Sequence, residues 1–423
     1  MEHDHGEELE LAAHIGLDWA DEEHAVCMQA ADSSVLETMV LRQEPEVLQA
    51  WMEQLRERFG GRKVGIALEQ SRGPVIYALM SCDFLVLYPI NPKALARYRE
   101  AFKCSGAKDD PSDAALLLSF LKCHRAQLTA RVPDDEQTQT IQLLAEHRRK
   151  TVNQRTKLVQ ALSQLLKAYF PQALGWAGEL SSPQAWEFLQ RWPSLEAVQK
   201  ARPAQLRAFY VRHGGRRPEE IQSRLKQIRE ARPLTQGRAV ITTSSTMVQC
   251  LAGQLQCLHP AVAEFDRQLK ALFEQHPDHA VFESFPGAGA ALAPRLLAAM
   301  GSRRERFASA TQVQQYSGIA PVTVRSGKSH WVHRRWACPK FVLQSFHEFA
   351  KCSILGSVWA RAYYDQHRER GVRHQAAVRA LAFKWIRIIF RCWQEGTPYD
   401  EQRYIDALRR RGSPLIARLD KVA

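Results

Sequence analysis

Two carboxylates three residues apart, Asp110 and Asp113, stand in the stretch Gly106-Ala107-Lys108-Asp109-Asp110-Pro111-Ser112-Asp113-Ala114. The stretch reads as the start of a helix: Asp110 can cap it, Pro111 suits its first position, and Leu116, Leu117, Phe120 and Leu121 form an apolar face behind. Residues three apart on a helix point the same way, so the two carboxylates repel unless a cation or a proton lies between them. A capping box accounts for the same pair with no function at all. Two acids upstream shift the balance. Asp18 lies in His14-Ile15-Gly16-Leu17-Asp18-Trp19-Ala20, and Glu69 ends the apolar run Val64-Gly65-Ile66-Ala67-Leu68. Both runs read as strands, with Ala25 to Gln29 hairpinned to the first. A carboxylate on a strand has no helix end to cap, and among apolar neighbours it needs a partner. Four acids from separate elements, meeting at one sheet edge, would offer the oxygen ligands that magnesium or manganese takes. A metal pair there could clamp the attacking and leaving oxygens of a phosphodiester.

This order of motifs resembles the DEDD transposases of the insertion sequence one-ten family: Gly16-Leu17-Asp18, Glu69 after a strand, then Lys108 to Ala114. The resemblance implies an N-terminal domain like that of the Holliday junction resolvase, with a ribonuclease H fold. It implies that Asp18, Glu69, Asp110 and Asp113 hold Mg2+ or Mn2+, with Lys108 near the nucleic acid. The family acids stand two and five places after the lysine, and Asp109 is an extra acid beside them.

The second half carries a second resemblance. Tyr316-Ser317-Gly318-Ile319-Ala320-Pro321 leads to Val324-Arg325-Ser326-Gly327-Lys328, similar to the family signature in which a serine before glycine is the nucleophile. That serine is Ser326, with Ser317 and Ser329 as competitors; without the resemblance the residues read more readily as an ordinary turn than as a nucleophile. A serine hydroxyl is a poor nucleophile until polarised or deprotonated. Arg325, Lys328, Arg334 and Arg335 are candidates to hold the scissile phosphate. The stretch His333 to Lys340 departs from the family's usual Gly-Asn-Arg continuation. Upstream, Phe285 to Leu297 reads as a helix-hairpin-helix whose Gly287 and Gly289 permit a phosphate-holding turn. The resemblance further implies a covalent phosphoserine–DNA intermediate and a structured bridge RNA that pairs with donor and target DNA. It also implies a homo-oligomer, dimer or tetramer, joining the acids of one protomer to the serine of another.

Positioning these residues requires three kinds of element. Residues 11–130 alternate strands and helices: Val35–Leu41, a helix from Pro45 to Phe59, Val64–Leu68, a helix near Val75–Met80, Phe84–Tyr88 and a helix from Pro92 to Phe102. Antiparallel strands followed by strand–helix alternation suit a mixed sheet. A long helix is expected over residues 135–169, with Ile141, Leu144, Leu158, Leu162, Leu165 and Tyr169 on one side and Arg148 interrupting it. Met247, Leu251, Leu255, Leu258, Val262, Phe265, Leu269 and Leu272 form a heptad seam, for packing against that helix or for dimerisation. Pro260 should kink or restart its helix. A last helix from His374 to Trp393 turns Val378, Leu381, Trp385, Ile388 and Cys392 inward. The expected fold is thus an α/β ribonuclease H-like domain (9–130), a helical coiled-coil middle with a basic insertion (131–280) and a mostly α C-terminal transposase domain with the helix-hairpin-helix (281–423).

Charge points to the partner. Residues 1–100 hold 18 acids against 9 Lys/Arg, so a net charge of +13 leaves +22 on the remainder. Residues 201–240 hold ten Lys/Arg and three acids, with Phe209 and Tyr210 between them. Basic side chains neutralise phosphates and aromatic rings stack on unpaired bases, so Arg216 and Arg217 are candidate RNA contacts. No apolar run reaches the ~18 residues that cross a membrane, and no signal-peptide core is present. Nine scattered cysteines without a Cys-x-x-Cys pair argue against a zinc site and suit a bacterial cytoplasm. The reading is a DNA transposase. A metal-dependent junction endonuclease using water, or a non-catalytic nucleic-acid-binding protein, are the alternatives.

Overall fold

The computed structural model describes residues 10–69, 73–102, 110–327 and 329–419. The chain divides after Pro133 into two compact units.

In the first unit, β1 (Ala13–Asp18), β2 (Glu23–Ala30) and β3 (Glu37–Arg42) precede α1 (Pro45–Phe59), β4 (Val64–Leu68), α2 (Pro74–Met80), β5 (Leu85–Pro89), α3 (Pro92–Phe102) and α4 (Asp110–His124). The sheet order is β3-β2-β1-β4-β5, antiparallel among the first three strands and parallel from β1 through β5. Every residue of β4 is buried, as a parallel strand covered on both faces requires. Alternation sorts the faces. Ala13, Ile15 and Leu17 join Val64, Ile66 and Leu68 in a core with Leu48, Trp51 and Leu55 of α1. The opposite face meets α4, where Ala25 and Cys27 pack with Ala114 and Leu118.

The approach of α4 depends on one glycine. A Cβ at Gly16 would lie 1.9 Å from the Ala114 carbonyl oxygen and 2.5 Å from the Leu118 nitrogen. The α4 backbone therefore lies directly on β1, at a distance that only glycine allows. Near the end of α4, Lys122 bonds Gln29, which pairs with His14 at the start of β1. So α4 runs opposite to β1 and begins at the C-terminal end of that strand.

The second unit is built on two long helices, α5 (Glu136–Tyr169) and α11 (Arg238–Glu274), packed side by side. Asp135 caps α5 by accepting from the Thr138 backbone N–H at 2.9 Å. Arg148, which breaks the apolar stripe of α5, is paired with Asp266 of α11. Between the two helices the chain forms α6 (Ala173–Trp176), α7 (Pro183–Arg191), α8 (Leu195–Lys200), α9 (Pro203–Arg212) and α10 (Pro218–Glu230). These make a core of their own with Leu162 and Leu166 of α5 and Val248, Leu251 and Leu255 of α11. A separate core at the other end joins Ile141, Ala145, Leu269 and Phe273 to the remaining helices. Those are α12 (His279–Glu283), α13 (Gly289–Met300), α14 (Ala310–Tyr316), α15 (Lys340–Gly356), α16 (Val358–Glu369), α17 (His374–Glu395), α18 (Glu401–Arg410) and α19 (Ile416–Leu419), with the hairpin β6 (Val322–Ser326) and β7 (Ser329–His333) after α14.

Helix α11 runs on through Pro260 rather than restarting there; Pro260 and Gln256, whose carbonyl loses its bond, are both exposed to water. Leu166 is fully buried in α5, and Leu165 packs partly buried against the same core. The stacking role expected of Phe209 and Tyr210 is corrected. Phe209 and Tyr210 are buried among Trp176, Phe188 and Trp192, so they hold the tip together and present no face to a base. Among the described residues, no helix is long and apolar enough to cross a membrane.

Candidate active site

Leu17 pairs with Leu68 in the parallel register of β1 and β4, so Asp18 and Glu69 leave neighbouring strands at the same end. Side chains alternate along a strand. Gly16 and Ala67 lie on the α4 side of the sheet; Asp18, two residues on and still within β1, falls on that side too, and Glu69 follows directly after β4. Helix α4 starts at this end and carries Asp113 in its first turn, buried at 4% exposure. Three acids distant in sequence thus come to one end of one sheet.

They do not form a closed ligand set. Among the described residues, no three His, Cys, Asp or Glu side chains stand close enough together to hold a metal ion. The Asp113 carboxylate accepts from Arg99 of α3 at 2.6 Å, with the two side chains 6% and 18% exposed. At Asp113 a cation of the protein itself takes up the carboxylate. Nothing in the sequence spacing marks Arg99 for this role. The buried Arg99 Nε has no hydrogen-bond partner among the described residues. Lys108, Asp109 and the Asp110 side chain lie outside the described residues.

Ser326 belongs to the second unit, at the tip of the β6–β7 hairpin. It pairs with Ser329 across a two-residue turn in which Gly327 has φ +55°. Such turns need positive φ at the first central position, which explains the glycine. Arg325, opposite His330, and Ser326 are both exposed. Lys328 lies outside the described residues. Ser317 is fully buried and donates to the Gln314 carbonyl at 3.1 Å, so its hydroxyl is spent on the end of α14. Ser329 is exposed like Ser326. The Arg334 guanidinium lies 5.3 Å from the Trp336 ring centre, and Arg335 is half-buried with its Nε unbonded among the described residues. Residues 321–340 contain no acid. Trp331 and Trp336 are 62% and 67% exposed on this basic segment.

The other phosphate-binding candidates divide. Gly287 (φ +81°) would bring a Cβ within 2.7 Å of the Cys352 carbonyl carbon, so its lack of side chain serves packing on α15. Gly289 (φ +53°) starts α13 with open space around it. Arg216 and Arg217 are exposed between α9 and α10, and Arg217 is paired with Glu220 at 2.6 Å.

Comparison with known proteins agrees with both halves of this description. Residues 15–171 match the DEDD transposase model for IS110, and residues 279–365 match the model for transposases of the IS116/IS110/IS902 family. The protein of the IS117 mini-circle of Streptomyces coelicolor is 30% identical over 400 residues, covering 93% of this chain and 96% of its own. The protein of insertion element IS110 from the same organism is 26% identical over 385 residues, 90% of this chain and 93% of its own. The insertion element IS116 protein of Streptomyces clavuligerus is 24% identical over 384 residues, 89% and 93%. With two family models spanning both units and end-to-end likeness to an IS117 protein, this chain belongs to the IS110 family of insertion-sequence transposases.

Proposed function

We propose that this transposase cuts and rejoins DNA through a carboxylate metal centre in its first unit and a serine nucleophile, Ser326, in its second. The observation that carries this reading is the convergence of Asp18, Glu69 and Asp113 at one end of a mixed sheet whose strand order suits a ribonuclease H-like domain. An all-carboxylate donor set fits a hard divalent cation. Asp18, Glu69, Asp110 and Asp113 would hold Mg2+ or Mn2+, which when bound stabilises charge on phosphoryl oxygens. Asp113 must then exchange Arg99 for the cation. The Ser326 oxygen bonds to phosphorus as its hydroxyl gives up a proton. The bridging ester bond breaks, and the departing sugar oxygen gains a proton. The resulting phosphoserine keeps one ester bond for each one broken, so rejoining needs no external energy source.

Arg325, Lys328, Arg334 and Arg335 supply positive charge around that serine. The exposed arginines at the tip, Arg216 above all, suit the phosphates of a structured RNA guide. The acids and the serine lie in separate units, which accommodates an oligomer that shares its sites between protomers.

The test is trapping of a covalent protein–DNA adduct on a cleavable substrate with magnesium and the element's own RNA. Ser326→Ala should abolish the adduct, and Asp18→Asn should abolish it while DNA binding persists. An adduct that survives Ser326→Ala moves the nucleophile elsewhere. Cleavage without any adduct favours the metal-dependent nuclease, with water as the attacking group.

A further inference from the structure

Beside the β6–β7 hairpin the second unit has a cavity of about 560 Å³ lined by Ile319, Pro321, Tyr363, Gln375, Arg379 and Phe383, among others. That size falls in the range of roughly 300–1,000 Å³ typical of small-ligand sites. Its walls combine two kinds of surface. Two aromatic rings and apolar carbons supply stacking area, while Gln375 supplies an amide and Arg379 a charge. Tyr363 is held in place by Lys384, whose Nζ lies 4.6 Å from the ring centre, and by the tilted His367 ring at 4.4 Å. Phe383 is fixed through its backbone, whose carbonyl accepts from Gln314 at 2.8 Å.

Arg379 is half-buried, and among the described residues it makes no ion pair. Burial and the neighbouring Arg334 both act against its charge. A half-buried guanidinium near a second, exposed one, with no carboxylate paired to either among the described residues, is a site short of an anion. The segment leading from Pro321 through the hairpin to Lys340 adds cations and no acids. Gln375 and Ala376 are in the first turn of α17, so the helix dipole has the same sign here.

We propose that this cavity takes one unpaired nucleotide of the DNA strand under exchange, its base against Tyr363 and Phe383 and its phosphate on Arg379 and Arg334. The proposal rests on the transposase reading and deepens it: a strand opened at the cleavage point is gripped by one extruded nucleotide next to the hairpin that bears Ser326. Stacking on an aromatic ring tolerates every base, so the pocket would grip without reading sequence.

The test uses the full-length chain with a labelled single-stranded oligonucleotide and its fully paired duplex, titrated over a range of salt. Arg379→Gln should weaken single-strand binding about tenfold and flatten its salt slope by about one unit. Tyr363→Leu should weaken it by a similar factor of about ten and leave the slope unchanged. Both variants should bind duplex as the unaltered chain does, which also shows that they are folded. In the unaltered chain, 5-iodouracil placed in the single strand should photocrosslink to Tyr363 or Phe383. Equal weakening of duplex and single strand, or crosslinks confined to other segments, would overturn the pocket. No cleavage is needed for these measurements, so a failure of the Ser326 chemistry leaves them readable, and a failure of the pocket leaves the adduct assay standing.

Discussion

Arg99 donates to Asp113 at 2.6 Å where both side chains are largely shielded from water, so the acid sits beside a cation before any metal arrives. Breaking a buried pair costs about 3–5 kcal/mol because the partner is left charged and alone. Arg99→Gln should therefore lower the melting temperature clearly. Millimolar Mn2+ or Mg2+ should restore much of that stability by taking over the carboxylate, and the variant should bind the ion more tightly than the unaltered chain. Melting curves with and without metal check this. An identical deficit under both conditions would show that no cation reaches Asp113.

Gly16→Ala tests the placement of α4. The added methyl meets the Ala114 carbonyl oxygen at 1.9 Å, and backbone cannot rotate aside as a side chain does. A cost above about 2 kcal/mol is expected, together with loss of DNA cleavage as Asp113 moves off the sheet end. Gly60→Ala, at a positive-φ helix end with open space around it, should cost stability by strain and leave cleavage intact. Thermal melts and a cleavage assay on both variants separate the two effects.

Ser317→Ala should leave the covalent adduct in place. The Ser317 hydroxyl is buried and bonded to the Gln314 carbonyl, so its removal costs about 1 kcal/mol of stability and no chemistry. Adduct yield at a temperature well below the melting point is the measurement.

A buried network at the base of α5 sets a pH dependence. His276 Nδ1 accepts from the Asp278 backbone N–H at 3.0 Å, which puts its proton on Nε2, 2.9 Å from Thr138 Oγ1. Thr138 Oγ1 in turn donates to Asp135 at 2.6 Å. Burial pushes His276 below its ordinary value of 6.5, so the folded state holds fewer protons than the unfolded. That stability is full above pH 6.5 and drains away as the pH falls below it. Burial works to raise Asp135, but hydrogen bonds from the Ser302 and Thr138 side chains outweigh it and bring the group down to about 2. A second decline follows as the pH drops through the carboxylate range towards that value. His276→Gln should lower stability at neutral pH and make the fall between pH 7 and 5 shallower, as melting curves across that window would show. Some slope should remain, because burial lowers His347 as well.

At the tip, Arg216→Gln should flatten the salt dependence of RNA binding by about one unit for each phosphate that the arginine no longer neutralises. Arg217→Gln should do less, since Arg217 is already paired with Glu220. Equal effects would mean that RNA breaks that pair on binding.

Much of the first unit is legible in the sequence because its signals are local. Pro45 and Gly60 bracket α1, and the apolar run Val64 to Leu68 is β4. The register that brings Glu69 level with Asp18 is not legible, since strand pairing is a long-range choice. Arg99 carries no signal for the same reason: fourteen residues and a change of helix separate it from Asp113. Around Phe209 and Tyr210 the charge pattern misleads. Basic residues cover the outside of α9 and α10, while the interleaved rings point inward, and composition alone does not distinguish the two faces. The hairpin around Ser326 has a signal in the alternation of Val322 and Val324, faced by His333 and Trp331, about a Ser-Gly-Lys-Ser turn.

The two cores strung along α5 and α11 also fix an order of events on the ribosome. The tip core is complete once Leu255 has emerged, since all of its members lie between Leu162 and that residue. The base core waits for Leu419, yet two of its members, Ile141 and Ala145, are made near the start of α5. The nascent chain thus holds a finished tip while the first turns of α5 keep an apolar face bare until the end of α11 and α13 emerge to cover it. Chains stalled once Leu255 has cleared the ribosome should yield a protease-resistant fragment spanning the tip, with cuts concentrated before Arg148, and any factor that shields nascent chains would find its binding stretch there.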